Sequence, residues 1–424
     1  MASTSRGRIT ILTGARQTGK STLLKALFPE YAYISLDDPF TRNQLKNITV
    51  PAMINQYSRV IWDEIQKLPE LMELIKAAYD SSDAVRYILS GSSQILLHKR
   101  VSESLAGRCA LLELYPLTVI ELAGDAASAG TPCSPPLFIS LLNRLLADGT
   151  LMEIGPVLSS RAIIPDDAYA RAQRAWDHYL HFGGMPAITG EDYDAEASTA
   201  WLIDYNRTYL QRDLADLASL SSLDPFIDAQ KLLALRTGHL INYSDVARGA
   251  GVTSPTARKF ITYLDISYQT VRINPWFRNR EKQLLKMPKL VFTDPGVCRA
   301  LNRRTGEPSG HEFESAVIAE IYKQCRLSNV PVDVRHLRTK DGREVDLLLE
   351  AENGFVAVEI KQAGEASIHD CRHFNGLGQI LDKPLLGSLV ISNDRSIRYF
   401  DRAGALGLPG FMAFGMEGAG FVPA

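Results

Sequence analysis

The sequence predicts an α/β protein of several domains, and three stretches carry that prediction. In RITILTGARQTGKSTLLKAL, residues 8–27, a β-rich run, a glycine-containing loop and a helical pattern follow one another. A short apolar strand in RVIWDEIQ ends in two acids, Asp63 and Glu64. Much later, the helix-spaced segment SGHEFESAVIAEIYKQC precedes two strands, in REVDLLLE and GFVAVEIKQ, with the turn residues AENG between them. Strands alternating with helices argue for α/β architecture over all-α or all-β. At 424 residues the chain is too long for one core and divides into about three or four domains.

Composition narrows the class. With 46% hydrophobic and 22% charged residues, the chain has ordinary globular composition. No apolar run approaches the roughly 20 residues of a membrane helix, so no membrane partner is expected. The start, MASTSRGR, lacks the apolar stretch of a secretion signal. Cysteines 109, 133, 298, 325 and 371 are scattered without a CxxC pair, which points to reduced thiols in a cytoplasmic protein rather than a disulfide or zinc framework. The net charge of −2 excludes a general polycation. Residues 236–304 nevertheless hold thirteen Lys and Arg against four acids, so a contact with nucleic acid would come from that stretch.

The loop Gly14–Ala15–Arg16–Gln17–Thr18–Gly19–Lys20–Ser21, followed by Thr22, fits G-x-x-x-x-G-K-[ST] between strand and helix. There, backbone N–H groups wrap the phosphates of ATP or ADP, Lys20 reaches the β and γ oxygens, and the Ser21 hydroxyl can ligate Mg2+. Asp63, at a strand end, would hold Mg2+ through water, and Glu64 is placed to polarise the attacking water. Ser90, directly after the strand VRYIL, suits a sensor of the γ-phosphate. Arg108, in SLAGR, is a candidate finger offered across a subunit boundary to the transferring phosphoryl group. Each has a plainer counterpart: acids or a serine in a solvated turn, an arginine paired with a local acid.

In their order and spacing, GARQTGKST, VIWDEIQ, LSGSS, SLAGR and LYPLTVIEL resemble the prokaryotic AAA+ ATPases whose C-terminal region is domain of unknown function 4143. The resemblance runs through almost the whole chain. It implies an ATP hydrolase with an AAA+ P-loop core (residues 1–125), a helical lid or linker (126–228), a winged-helix domain (229–305), a restriction-endonuclease-like α/β domain (306–405) and a tail (406–424). One departure is that such proteins usually carry helical sequence before the first strand, whereas here the strand starts near Arg8.

The middle of the chain is read in the same way. AGDAASAGTPCSPP, residues 123–136, is a linker or insertion by composition. Helical spacing follows in LFISLLNRLLADG and in ARAQRAWDHYLHFGGMPAI, where Gly183–Gly184–Met185–Pro186 stops the pattern. On structural grounds that turn only ends a helix; by resemblance to related signalling ATPases, Pro186 packs against adenine. A helix-turn-helix pattern comes next. Residues 243–248 form a short helix, Gly249–Ala250–Gly251 a turn, and a second helix starts with Thr253 or Ser254 as cap and Pro255 in its first turn. YQTVRINPW and KMPKLVFTDP, flanking basic FRNREKQLLK, would form the wing. Arg258 and Lys259 on the second helix, with Arg278, Arg280 and Lys282 in the wing, are the candidate DNA phosphate contacts. Protein docking is the competing use of such a module.

In the last domain, Asp346 begins one strand, Glu359 lies in the next, and Lys361 shares the face of Glu359 by the period of two. The arrangement resembles the metal-binding core of the PD-(D/E)xK nucleases. That resemblance implies Mg2+ or Mn2+ on Asp346 and Glu359, with Lys361 activating water and the helix carboxylate Glu314 completing the set. The Gly-rich tail from Asp401 is left undecided between packing and fraying.

Taken together, the sequence predicts a homo-oligomeric ring, a hexamer by preference, that couples ATP hydrolysis to binding, moving along or remodelling DNA, with the C-terminal domain a candidate metal-dependent DNA endonuclease or exonuclease. The alternative is a nucleotide-dependent signalling switch whose C-terminal domains dock protein partners without catalysis.

Overall fold

The computed structural model describes residues 8–91, 105, 107–124, 134–148, 151–161, 165–190, 193–218, 223–278, 287–339 and 342–421. The chain forms two compact units. The first comprises residues 1–116 with 211–221 and 262–269; the second holds the remainder.

The first unit is built on five parallel strands, β1 (Ile9–Gly14), β2 (Ala32–Ser35), β3 (Arg59–Asp63), β4 (Arg86–Gly91) and β5 (Cys109–Leu114), in the order β2-β3-β4-β1-β5. Both faces are apolar, as a parallel sheet flanked by helices requires. The period of two sends Ile9, Ile11, Val60, Trp62, Tyr87 and Leu89 to one face, where Met53, Leu71 and Ile75 meet them. Leu12, Ile61 and Ile88 go to the other, against Leu24 of the helix Lys20–Leu27. The strand order sets β4 between the strand that feeds the loop and the strand that carries the acids, so all three carboxyl ends lie side by side.

The second unit centres on an eight-stranded mixed sheet in the order β12-β13-β11-β10-β9-β8-β6-β7. Its strands are β6 (Thr270–Pro275), β7 (Lys289–Phe292), β8 (Asp333–Arg338), β9 (Glu344–Glu350), β10 (Phe355–Lys361), β11 (Leu385–Ser392), β12 (Arg398–Phe400) and β13 (Ala405–Pro409). Val356, Val358, Leu389, Ile391, Leu406 and Leu408 face a large core shared with the helices Leu137–Asp148, Asp167–Phe182 and Gly310–Leu327. Phe355, Ala357 and Val390 face a smaller core with Trp276, Phe374 and Leu377.

Two features here went beyond the sequence reading. The hairpin β6–β7 is not a free wing, since β6 pairs with β8 through Asn274↔Arg335 and Pro275↔His336. The tail, left undecided, contributes β13 and the wholly buried helix Gly410–Gly415. Its glycines have a packing reason: a Cβ on Gly410 would fall 2.5 Å from Trp176. Among the described residues, Cys109, Cys298, Cys325 and Cys371 are free thiols. No described helix is long and apolar enough to cross a membrane.

Candidate functional site

The nucleotide loop begins where β1 and β5 run closest. A Cβ on Gly14 would lie 2.2 Å from the Leu114 carbonyl oxygen, so glycine is what lets the two strands pair to their ends. Within the loop, Gln17 (φ 60°) and Gly19 (φ 86°) turn left-handed. Such turns aim successive N–H groups inward as a cradle for an anion, and the helix Lys20–Leu27 adds the positive end of its dipole. Lys20 is buried; its Nζ donates to the carbonyls of Gly14 at 3.1 Å and Ala15 at 2.6 Å. The ammonium is thus folded over the cradle that a phosphate would fill. Thr18 Oγ1 braces the loop through the Ala15 carbonyl at 2.8 Å.

Asp63 closes β3 beside this cradle. Its Oδ2 accepts hydrogen bonds from Ser21 Oγ, at 2.8 Å, and from the Tyr33 hydroxyl; its Oδ1 is buried without a hydrogen-bond partner among the described residues. An unsatisfied buried acceptor costs about 1–3 kcal/mol. Two hard oxygens in contact, one carboxylate oxygen unspent, and a phosphate cradle alongside fit Mg2+. Glu64 sits at φ 55° and accepts a hydrogen bond from Gln66. Burial, then the neighbouring Asp63, pushes its carboxyl above the usual range against the pull of Arg16 and Lys20. A carboxylate with raised proton affinity suits water polarisation. Ser90 is fully buried, its Oγ has no hydrogen-bond partner among the described residues, and register sets it opposite Leu12, two residues before Gly14 ends β1. Arg108 is half-exposed and holds Asp80 with Nε at 3.0 Å and Nη2 at 3.2 Å.

Two tyrosines of this site escaped the sequence reading. Tyr33 is one; burial and then its bond to Asp63 push the phenol up to about 12. Tyr268, left-handed at φ 61°, hydrogen-bonds Thr13, the residue before the loop, and lies 3.3 Å from Glu113. Neither has a local signal, because an alternating strand or a helix end does not say which distant acid its tyrosine will meet.

In the second unit, the four nuclease-type residues do converge. β9 and β10 pair down to Val358↔Leu347; one residue on, the Asp346 carboxylate replaces the ladder and accepts the Ile360 N–H at 2.8 Å. Lys361 Nζ lies 2.8 Å from Glu359 and 3.6 Å from Asp346, and His373 Nδ1 is 3.1 Å from Glu359. Glu314 reaches in from the helix Gly310–Leu327. Three residues that the sequence reading did not place here join them: His373, Glu344 and Lys289. Lys289, from β7, has Nζ 2.8 Å from Glu314, 3.4 Å from Glu344 and 3.9 Å from Asp346. Burial and then Asp346 push Glu359 up to about 8; burial likewise raises Glu314. For Lys289, burial pulls downward, yet Glu314 and Asp346 bring the ammonium above its usual value.

The expectation of Mg2+ or Mn2+ on Asp346 and Glu359 therefore meets a poor fit. Ammonium groups stand where a cation would, and among the described residues no three of His, Cys, Asp and Glu converge closely enough to hold a metal ion. Lys289 has no local signal, because the burial of its strand and its acid partners arise only in the folded sheet.

The remaining candidates divide. Gly183 (φ 79°) ends the helix Asp167–Phe182, and Gly184 donates to Asp294 Oδ2 and accepts from the Leu117 N–H, both at 2.7 Å. Those bonds give the turn before half-buried Pro186 a structural cause. The helices Tyr243–Gly249 and Ser254–Ile266 flank the Gly251 turn, with Thr253 as the cap: its Oγ1 accepts from the Thr256 N–H at 3.4 Å. Arg258 and Lys259 are exposed on the second helix, Arg258 lying 4.2 Å over the Tyr243 ring. Exposed Arg278 donates to the Leu381 carbonyl at 3.2 Å, while Arg280 and Lys282 lie outside the described residues.

Comparison with known proteins agrees with the motifs. A family model described as AAA domain matches residues 6–123, and domains of unknown function DUF8612 and DUF4143 match 173–307 and 309–410. An uncharacterized protein of Mycobacterium tuberculosis and one of Mycobacterium bovis are each 25% identical over 370 residues, covering 86% of this chain and 72% of theirs. Among solved structures, the chain is similar to a Walker-type ATPase of Pyrococcus abyssi (18% identity, TM-score 0.38, 70% of this chain and 91% of that one). It is also similar to the ORC2 protein of Aeropyrum pernix in ADPNP–ADP complexes (14% identity, TM-score 0.33, 70% and 87%). With the phosphate loop and its acids inside the first matched segment, the chain is an ATPase with an AAA domain over residues 6–123 and a DUF4143 segment over 309–410.

Proposed function

We propose that this ATPase couples hydrolysis to binding, and to moving along or remodelling, DNA, working as a homo-oligomeric ring with six subunits favoured. The observation that carries the reading is the pairing, in one chain, of a nucleotide cradle with a helix-turn-helix that exposes Arg258 and Lys259. In this reading Lys20 leaves the loop carbonyls for the β and γ phosphates, and Ser21 and Asp63 hold Mg2+, which would neutralise phosphate charge. Glu64 polarises water, Ser90 senses the γ-phosphate, and Pro186 meets the adenine. Arg108 exchanges Asp80 for the phosphate of a neighbouring subunit; a half-exposed pair of this kind is worth only about 0–1 kcal/mol, so the exchange is easy. Arg278, Arg280 and Lys282 add phosphate contacts, and the C-terminal α/β domain grips DNA.

A second reading, a nucleotide-dependent switch that docks proteins, gains from one observation. Lys289 and Arg299, two of the thirteen basic residues in 236–304, are buried in ion pairs and unavailable to a phosphate backbone. Steady-state ATP hydrolysis with no DNA, single-stranded, duplex and forked DNA, at low and moderate salt, decides between them. Stimulation by one DNA form that fades with salt supports the motor. Intact basal hydrolysis with no response to any DNA supports the switch.

A further inference from the structure

We propose that Lys289 is the resident cation of the carboxylate cleft. Its ammonium holds the place of a divalent metal, and the wild-type cleft does not bind Mg2+ or Mn2+. Three observations carry this. Lys289 Nζ faces three carboxylates at once, Glu314 at 2.8 Å, Glu344 at 3.4 Å and Asp346 at 3.9 Å, with its side chain only 4% exposed. It is also fixed by its backbone: Lys289 pairs with Ile273 of β6 on one side and bridges Leu240 on the other. A surface lysine can swing out to admit a metal, whereas this one starts a strand whose four residues are all buried.

Asp346, which a metal in this fold would need, is spoken for on both oxygens. Oδ1 faces Lys289; Oδ2 accepts the Ile360 N–H at 2.8 Å and lies 3.6 Å from Lys361. A divalent ion coordinated by carboxylate oxygens at about 2.0–2.6 Å would stand within a few ångströms of both ammonium groups. Its repulsion from two unit charges at that range opposes binding strongly in a part-buried site. Two ammonium groups thus occupy the cleft, which serves binding or architecture, not metal-dependent strand cleavage.

The test is Mn2+ titration of the nucleotide-free full chain, read by electron paramagnetic resonance. Its outcome depends on the cleft and not on the DNA reading, so DNA stimulation of ATP hydrolysis can fail while this result stands, and the reverse. The wild type is expected to lack any Mn2+ site that Asp346→Ala removes; that dependence separates the cleft from the nucleotide loop. Lys289→Met should gain one Mn2+ per chain, bound at least about a hundredfold more tightly than the wild type, and lose it on adding Asp346→Ala. Lys289→Arg, which keeps the charge, should gain none. An Asp346-dependent Mn2+ site in the wild type overturns the proposal, as does a folded Lys289→Met chain that binds no more Mn2+ than the wild type. Should Lys289→Met not fold, the wild type against Asp346→Ala decides alone: a shared absence of the site upholds the proposal and a difference defeats it.

Discussion

Lys20 and Glu64 separate binding from chemistry at the level of single side chains. Lys20 is the buried cation of the loop, and its loss leaves the cradle with backbone dipoles alone. Lys20→Ala is expected to abolish binding of a fluorescent ATP analogue. Glu64→Gln keeps the shape and removes the proposed base, so it should bind the analogue normally while turnover falls by about 10²-fold or more. Ordinary turnover in that variant would end the assignment of Glu64 as base. The direction of its proton affinity adds a pH test. Burial raises the Glu64 carboxyl, so on acidification it takes up its proton earlier than an ordinary glutamate. Hydrolysis should therefore fall with decreasing pH on a limb lying above the usual carboxylate range, and a rate flat through that range argues against the base. These residues were legible in the sequence because the loop and the acid pair are contiguous and their local strand and helix context is fixed. Tyr33 and Lys289 were not, because their partners come from other strands and only the folded sheet introduces them.

Among the elements, the helix Gly310–Leu327 ties the second unit together. Its start is set by a capping box between Ser309 and Glu312, which the sequence carries openly. Its middle holds a pair no periodicity would announce. Glu320 and Lys323, both fully buried, lie 3.1 Å apart; Glu320 also accepts the Val119 N–H at 2.8 Å, and Lys323 donates to the Leu117 carbonyl at 3.0 Å. The pair thus secures the start of the helix Val119–Ala123 against the core. Glu320→Ala leaves a buried ammonium without its counter-charge and is expected to cost about 3–5 kcal/mol, seen as a lowered midpoint of thermal or urea unfolding. Combining Glu320→Leu with Lys323→Met should recover part of that loss, and only part, since the Val119 N–H and Leu117 carbonyl stay unpaired. A double variant as unstable as the single one would assign the cost to packing instead. The tail obeys the same physics: Gly-rich, weakly charged sequence suits both fraying and close packing, and the neighbour that decides, Trp176, lies more than two hundred residues earlier.

On the scale of the whole molecule, composition misled in one respect and informed in another. The basic excess of residues 236–304 is real as a sum, yet Lys289 and Arg299 point it inward, and a count of charges cannot tell a surface from a core. The proposed ring, by contrast, rests on a single residue. If Arg108 completes the active site of a neighbour, then a chain lacking Arg108 and a chain lacking Lys20 each keep what the other has lost. Alone, Arg108→Ala rings and Lys20→Ala rings should both be nearly inactive. Mixed in equal amounts and allowed to exchange subunits, about a quarter of the interfaces would join an intact loop to an intact Arg108, and hydrolysis should return to roughly that fraction of wild type. Sedimentation under the same conditions should give a closed oligomer for either variant. If Arg108 serves only to hold Asp80 within its own chain, Arg108→Ala will hydrolyse ATP nearly as the wild type does, and mixing will add nothing. The mixed assay therefore separates a finger reaching between subunits from a surface ion pair, with one purified protein and two substitutions.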